Sequence, residues 1–398
     1  MNPWRAAVAA ALVLLPLAGL LTGSRASYVL FAFLLLLLLA ALAQDLWAAL
    51  TFRYLQTLDA AETSRGSQVH LKLTIDNERP LPYALMRIRL ATADRWEDRR
   101  LDFDLPPKQR ADFDLTLECP HRGVYEIGMT LIDFVDLFGL LRFPFDMRLL
   151  SYYRMRSLVV LPKVYELERL PLKSFDNKSF AKRAPPTDDP EEPFAGTRLY
   201  RPGDSRRLIH WKASARHRML LTRQFEPTEE PRIRLLVDRT RPPYADREAA
   251  QAEDALCEGI ASVVRYLLRK GIPLEVVTYA PKREVKGVHG MKDFLAIRRW
   301  LATLPFSDAR PLEEQLQLEM PTLGAVRSFL VFTTDLRSQA MQTLLRLKDR
   351  AAVNVLLGGP AATTPGAREA ATELRRNGIQ AWAIRYGEDP GETFGGEP

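Results

Sequence analysis

The chain has 398 residues, room for two or three domains, and 47% hydrophobic with 26% charged residues is an ordinary globular balance. Its two cysteines, Cys119 and Cys257, make no metal-ligand spacing, which argues against a disulfide scaffold and leaves two buried thiols as the plain reading. The net charge of +7 has one source: Arg198 to Arg223 holds eight basic residues and one acid, and without that stretch 48 basic and 48 acidic residues remain, so nucleic acid is a poor partner and a local anion or acidic-partner site stays open.

The apolar excess lies at the front. Residues 6–22 and 26–44 carry no charge, and each is near the length that crosses a hydrocarbon core. Gly23-Ser24-Arg25 alone separates them, so domain 1–50 reads as a transmembrane helical hairpin with Trp4 and Trp47 as flanking aromatics. A cleaved signal peptide before a stop-transfer helix is the rival reading. Both place the soluble domains on the cytoplasmic side of the cell (inner) membrane.

Residues 60–160 have period two. Val69, Leu71, Leu73 and Ile75 alternate with His70, Lys72 and Thr74, and the stretches 101–105 and 113–117 repeat the pattern. Such strands bury one face, and several in series predict an antiparallel β-sandwich-like domain.

The stretch 161–230 reads as a linker, rich in Pro, Asp and Glu over 180–193, and then a basic segment. Pro202-Gly203 suits a tight turn, and Asp204 or Ser205 suits the cap of a short helix with Leu208, Trp211 and Ala215 on one face. Residues 219–222 look extended. Arg198, Tyr200, Gly203, Asp204, Arg207, His210, Trp211, Lys212 and Arg216 are the candidate partner- or anion-binding residues, as guanidinium forks for phosphate or carboxylate. The structural alternative is that the arginines join the soluble domains through ion pairs.

In 231–386 strands alternate with helices. Strands are expected over 233–237, 274–279, 329–332, 353–357 and 379–384, with helices over 246–269, 294–304 and 367–376. That order implies a mostly parallel sheet covered on both faces, with ligands at the carboxyl ends of strands, where Asp238 and Asp335 fall. Residues 387–398 read as a flexible tail. No GxGxxG, P-loop, HExxH or nucleophile-elbow pattern is present, so no catalytic residue is assigned.

The basic segment resembles the family known as domain of unknown function 58. Its R-x-Y-x-P-G-D-x-x-R-x-I-x-W-x-x-x-A-R pattern is met by Arg198, Tyr200, Pro202, Gly203, Asp204, Arg207, Ile209, Trp211, Ala215 and Arg216. A second hallmark is met by Arg122-Gly123-Val124-Tyr125 and by Asp136-Leu137-Phe138-Gly139-Leu140, with Leu137 where the family has Pro. The resemblance implies a von Willebrand factor A-like (Rossmann-like) final domain. It also implies association with MoxR-type AAA ATPases, often beside transglutaminase-like membrane proteins, and no established activity. Such domains can hold Mg²⁺ through D-x-S-x-S with distant Thr and Asp oxygens. Here Asp238 and Thr240 stand in that pattern, Pro242 supplies no ligand, and Arg239 and Arg241 add positive charge. With Asp335 these are degenerate metal-site positions, and no cofactor, or weak Mg²⁺ binding at most, is expected.

Together these features describe a multidomain, multi-pass membrane protein. The leading function is a non-enzymatic adaptor between the membrane and a MoxR-type ATPase. A hydrolase or ligand-processing enzyme using Asp204, His210 and the arginines is the alternative, and a structural scaffold in envelope assembly is a third. A reporter that works only in the cytoplasm is expected to be active when fused after Pro398. Activity of a periplasm-only reporter there would overturn the topology.

Overall fold

The computed structural model describes residues 3–136, 139, 141–149, 153–173, 194–201, 204–225, 232–279, 282–307, 310–362 and 365–395. The chain divides into two compact units at the Leu161/Pro162 boundary.

The first unit begins with helices α1 (Pro3–Thr22) and α2 (Arg25–Thr51), each long and apolar enough to cross a membrane. The turn between them depends on Gly23, whose φ of 65° is the left-handed geometry that ends helices, with its N–H bonded to Gly19 O at 2.9 Å. The second helix runs seven residues past the expected end at 44. Its last turn explains why: Ala48, Ala49 and the adjoining Phe52 are buried in the core of the β domain.

That β domain contains two sheets. One joins β1 (Arg53–Leu58), β3 (Gln68–Asp76) and β6 (Arg110–Glu118). The other has the order β2 (Glu62–Ser64), β9 (Arg156–Leu161), β7 (Gly123–Val135), β4 (Tyr83–Ala91), β5 (Arg99–Leu105), with β8 (Arg142–Asp146) also on β7. Alternation works as expected on β3, where Val69, Leu71, Leu73 and Ile75 are at most 1% exposed and His70 and Lys72 face water. The expectation of a purely antiparallel domain needs correction, because β2 and β9 run parallel. The region is a curled, mixed β structure. Three residues of β2 leave too little pattern for period two to reveal its partner.

The second family hallmark lies here and has a structural role. The Tyr125 hydroxyl donates to the carbonyls of His121 (3.2 Å) and Arg122 (3.1 Å), pinning the turn into β7. Arg5 Nε donates to Gly139 O at 3.0 Å. Leu137, Phe138 and Leu140 lie outside the described residues.

In the second unit, 162–173 packs onto the α/β core, with Lys163 N on Glu258, Tyr165 N on Ser262 and Lys173 N on Asn354 Oδ1. The rest of the expected linker, 174–193, is outside the described residues. A small arm comes next, made of β10 (Phe194–Leu199), α3 (Trp211–His217) and β11 (Leu221–Phe225).

The α/β core has strand order β14 (Arg283–Val288), β13 (Leu274–Tyr279), β12 (Arg232–Val237), β15 (Val326–Thr333), β16 (Val353–Gly359), β17 (Gln380–Arg385). All neighbours are parallel except β14, an antiparallel edge strand that the residue pattern does not announce. Helices α4 (Asp246–Arg269), α5 (Met291–Thr303) and α9 (Pro390–Gly395) cover one face. The other holds α6 (Leu312–Glu319), α7 (Ser338–Leu347) and α8 (Pro365–Arg376). Gly358 lets α4 approach β16, since an added Cβ would stand 2.9 Å from Ala252 O and Leu256.

A buried ion network ties α6 to the sheet. Glu319, fully buried, accepts from Tyr279 Oη (2.8 Å), Arg283 Nε (2.5 Å) and Arg234 (3.0 Å), and Arg234 also bonds Glu275 and Thr322. Burial alone would raise the Glu319 carboxyl, but Arg283, Tyr279 and Arg234 more than reverse this and hold it below its ordinary value. Its stabilisation is therefore present above the unfolded pKa and is lost as pH falls through the folded one. Glu319→Ala leaves Arg234 buried without its carboxylate and is expected to cost about 3–5 kcal/mol in denaturant unfolding at neutral pH, with the gap from wild type narrowing in acid.

Candidate functional site

Two places gather the candidate residues: the arm, and the carboxyl end of β12.

In the arm, β10 and β11 pair antiparallel from Phe194↔Phe225 to Leu199↔Leu221, and Ile209 bridges to Thr222 as a third short segment. Asp204 holds these pieces together. Its carboxylate takes Arg198 through two bonds (2.5 and 2.9 Å), the Arg201 N–H (2.8 Å) and the Thr222 hydroxyl (3.3 Å), and Tyr200 Oη stands 3.5 Å from its carbonyl. Arg198, then the Arg201 N–H, hold the carboxyl down at about 2, well below the usual carboxylate range.

The helix starts later than expected. His210, not Asp204 or Ser205, is the cap, with Nδ1 accepting from Ala213 N at 3.2 Å, and Arg206–Leu208 is a separate single 3-10 turn. The expected apolar face is not built: Leu208 and Ile209 are buried, whereas Trp211 is 66% exposed and Ala215 faces water. Asp204 and His210, the acid–base pair of the enzymatic alternative, thus serve the turn and the cap. Arg207, Lys212 and Arg216 are exposed. Gly203 and Pro202 lie outside the described residues. Thr222, which completes the Asp204 cluster, carries no sequence signal, since a threonine in a strand is unremarked until its partner is known.

At the other place, β12 ends at Val237 and Asp238 N still bonds Phe332 O at 2.9 Å, so Asp238 stands fixed at the sheet's upper edge, 1% exposed. Its Oδ1 accepts from Thr240 N (3.0 Å) and Gln315 Nε2 (3.1 Å). Its Oδ2 lies 2.9 Å from Thr240 Oγ1 and 2.7 Å from Thr333 Oγ1. Thr333 Oγ1 is also 2.7 Å from the Asp335 carbonyl and accepts the Asp335 N–H at 3.2 Å. A hydroxyl has one proton. Thr333 shares it between Asp238 Oδ2 and the Asp335 carbonyl, as the Tyr125 hydroxyl does between two carbonyls. Each Asp238 oxygen accepts twice, Oδ1 from two N–H groups and Oδ2 from the Thr240 and Thr333 hydroxyls. Burial pushes the Asp238 carboxyl up, and the bonds from Thr240, Thr333 and Gln315 lower it by less.

These residues do not fit a divalent cation. Both Asp238 oxygens are occupied, Oδ1 by two N–H donors, which repel a cation. The Gln315 amide is fixed in that orientation, because Nε2 also donates to Arg310 O at 2.7 Å. Pro242 brings no oxygen side chain. Asp335 is engaged by Arg337 at 3.1 Å and Arg241 by Asp246 at 3.1 Å. A cavity of about 160 Å³ opens beside Asp238, lined by Thr240, Arg241, Glu313, Asp335 and Arg337 among others. Gln315 gives no signal in the sequence because α6 itself is not expected there.

The chain therefore pairs two apolar N-terminal helices with a mixed β region and a mixed α/β domain whose acidic strand ends are bonded internally. Residues 196–376 match the family described as "Protein of unknown function DUF58", and this stretch is a DUF58-family domain. The chain is a distant homologue of the uncharacterized protein YeaD of Bacillus subtilis (strain 168), 25% identical over 181 residues, 45% of this chain. It spans 41% of that relative's length. Similar solved structures include the β-glucosidase EmGH1 of Erythrobacter marinus, at 9% identity, covering 28% of this chain and 15% of that one with a TM-score of 0.18. The sporulation control protein Spo0M of Bacillus subtilis matches at 11% identity over 27% of this chain and 49% of that one, TM-score 0.17. Cwp6 of Clostridium difficile matches at 8% over 83% of this chain and 49% of that one, TM-score 0.20. At such scores none of these defines a shared fold.

Asp238→Asn keeps Oδ1 as the acceptor for Thr240 N and Gln315 and sets its amide N–H groups against two hydroxyls that can turn to accept, and it is expected to change stability by less than about 1 kcal/mol. Asp238→Ala strands its donors and is expected to cost on the order of 3 kcal/mol. Because burial raises the folded pKa above the unfolded one, this stabilisation is full in acid and lost as pH rises through the folded pKa. The Asn variant should lose that part of the pH dependence, and a pH dependence unchanged by Asn would overturn the raised pKa.

Proposed function

We propose that this chain is a membrane-anchored, non-enzymatic adaptor. Its two N-terminal helices cross the cell membrane as a hairpin, its soluble units are cytoplasmic, and its von Willebrand factor A-like α/β domain is offered to a MoxR-type AAA ATPase and its clients. A transglutaminase-like membrane protein is a fitting companion.

The observation that carries this reading is the state of the strand ends. Ligand-binding chemistry in such a sheet belongs at the carboxyl ends of its strands. There Asp238 is closed within a ring of protein donors, and Asp335 and Arg241 are matched by neighbouring charges. A reacting group needs an available lone pair or proton, and these are engaged. What remains at the rim is a shaped, charged surface, which suits binding another protein. The DUF58 domain and the two long apolar helices agree with an anchored module.

Affinity capture of the tagged full chain from detergent-solubilised membranes is expected to co-purify a MoxR-type ATPase. Arg241→Glu with Arg337→Glu, which reverses the rim charge without touching the core, is expected to reduce that recovery at least several-fold. Recovery of the chain with no such ATPase would sink the reading.

A further inference from the structure

The arm has a surface that the adaptor reading leaves unused. Among its described residues Asp204 is the one acid, and Arg198 neutralises it. The seven other cations, from Arg201 to Arg223, are all exposed, and none forms a salt bridge among the described residues. Four large apolar side chains are exposed with them: Leu199 at 57%, Trp211 at 66%, Met219 at 53% and Leu220 at 48%.

These apolar residues are gathered rather than scattered. Tyr200 N bonds Leu220 O and His210 N bonds Leu221 O, both at 2.8 Å, and Met219 N bonds Ser214 O at 3.3 Å. Those bonds bring the chain segments that carry Leu199, Trp211, Met219 and Leu220 to one end of the arm, and Arg201, Lys212 and Arg218 lie within two residues of them in the chain. A globular surface does not normally leave Trp, Met and two Leu together in water.

We propose that this end of the arm docks on the anionic lipid surface of the bilayer that α1 and α2 enter. Trp and aliphatic side chains are at home at the headgroup boundary, where guanidinium and ammonium groups meet lipid phosphates. The cations are spread over three chain segments, which suits a fluid field of phosphates better than the fixed pairs of one protein cleft. A surface contact of this kind is weak alone. The anchor offsets this, because a tethered arm meets the bilayer at high effective concentration. The inference rests on the membrane-anchor reading, and the experiment separates the two.

The full chain with Met219→Cys is labelled with an environment-sensitive fluorophore; Cys119 and Cys257 are buried and stay unlabelled. It is reconstituted into vesicles of phosphatidylcholine, or of phosphatidylcholine with phosphatidylglycerol, and insertion is checked by flotation. Blue-shifted emission and shielding from an aqueous quencher are expected only with phosphatidylglycerol. Changing Arg201, Lys212 and Arg218 to Gln should weaken docking by about fivefold per cation removed. Lysine at the two arginine positions should preserve it, because lipid docking needs charge rather than a guanidinium fork. An unchanged chymotryptic cleavage pattern of the detergent-solubilised chain would show that the variants keep their fold. Identical emission in both lipids, with the chain floating, overturns the docking and leaves the anchor standing. Failure to float overturns both. Loss of docking in the lysine variant, or shielding that needs an added acidic protein, assigns the surface to a protein partner and overturns the proposal.

Discussion

Burial of β12 on both faces is the constraint around which the α/β unit is arranged. Ile233, Leu235 and Val237 enter the layer beneath α4 and α5, while Leu236 enters the layer beneath α6 and α7. No side chain along such a strand can meet a ligand, so polar chemistry is confined to its two ends. Near the start, Arg234 intrudes into an apolar layer and is tolerated because Glu275 and Glu319 receive it. At the finish, Asp238 is held in place by the last rung of the ladder to β15.

Asp204 and Asp238 show how surroundings decide what a carboxyl group does. Asp204 borders solvent and faces a guanidinium through two bonds, so ionisation is favoured and the charge serves as a clasp. Asp238 is enclosed, and its nearest partners are neutral hydroxyls, an amide and a backbone N–H. Without a cation beside it, a buried carboxylate is costly, and its pKa is pushed up. The arginines near Asp238 in sequence do not supply the missing charge: Arg239 bonds Pro305 O, and Arg241 turns to Asp246.

Much of this is legible in the residues, for definite reasons. The expected helix at 246–269 and strand at 274–279 have the same bounds in the structure, because each is long or strongly apolar and ends at Gly271 or begins just past it. The two apolar helices need only length and the absence of charge. Less legible are α6, α7 and β14. Their outer faces are wet, and β14 alternates weakly, with Val285 44% exposed. The parallel pairing of β2 with β9 joins residues about a hundred positions apart, which no local period encodes. At the candidate sites the acids are visible and their partners are not. Asp204 and Asp238 stand out in a sequence, but Thr222, Thr333 and Gln315 acquire meaning only when strands and helices bring them within 3.3 Å.

The signature segment shows why spacing alone does not assign its roles. Its residues divide into an inward set and an outward set of the same chemical types. Arg198 is bound to Asp204 and fixes the turn, whereas Arg207 and Arg216 face water. Ile209 is buried, and Trp211, two residues later, is exposed. An amphipathic helix would have put Leu208, Trp211 and Ala215 on one inner face, but the chain leaves the helical path at Ile209 and re-enters it only after His210. That break turns the indole outward. It also explains why a stretch with eight basic residues and one acid can fold: the single acid is placed where it unites three chain segments, and the remaining cations are kept in solvent, where their mutual repulsion is screened. The inward set fixes the turn and the strand pairing, and the outward set is left facing water.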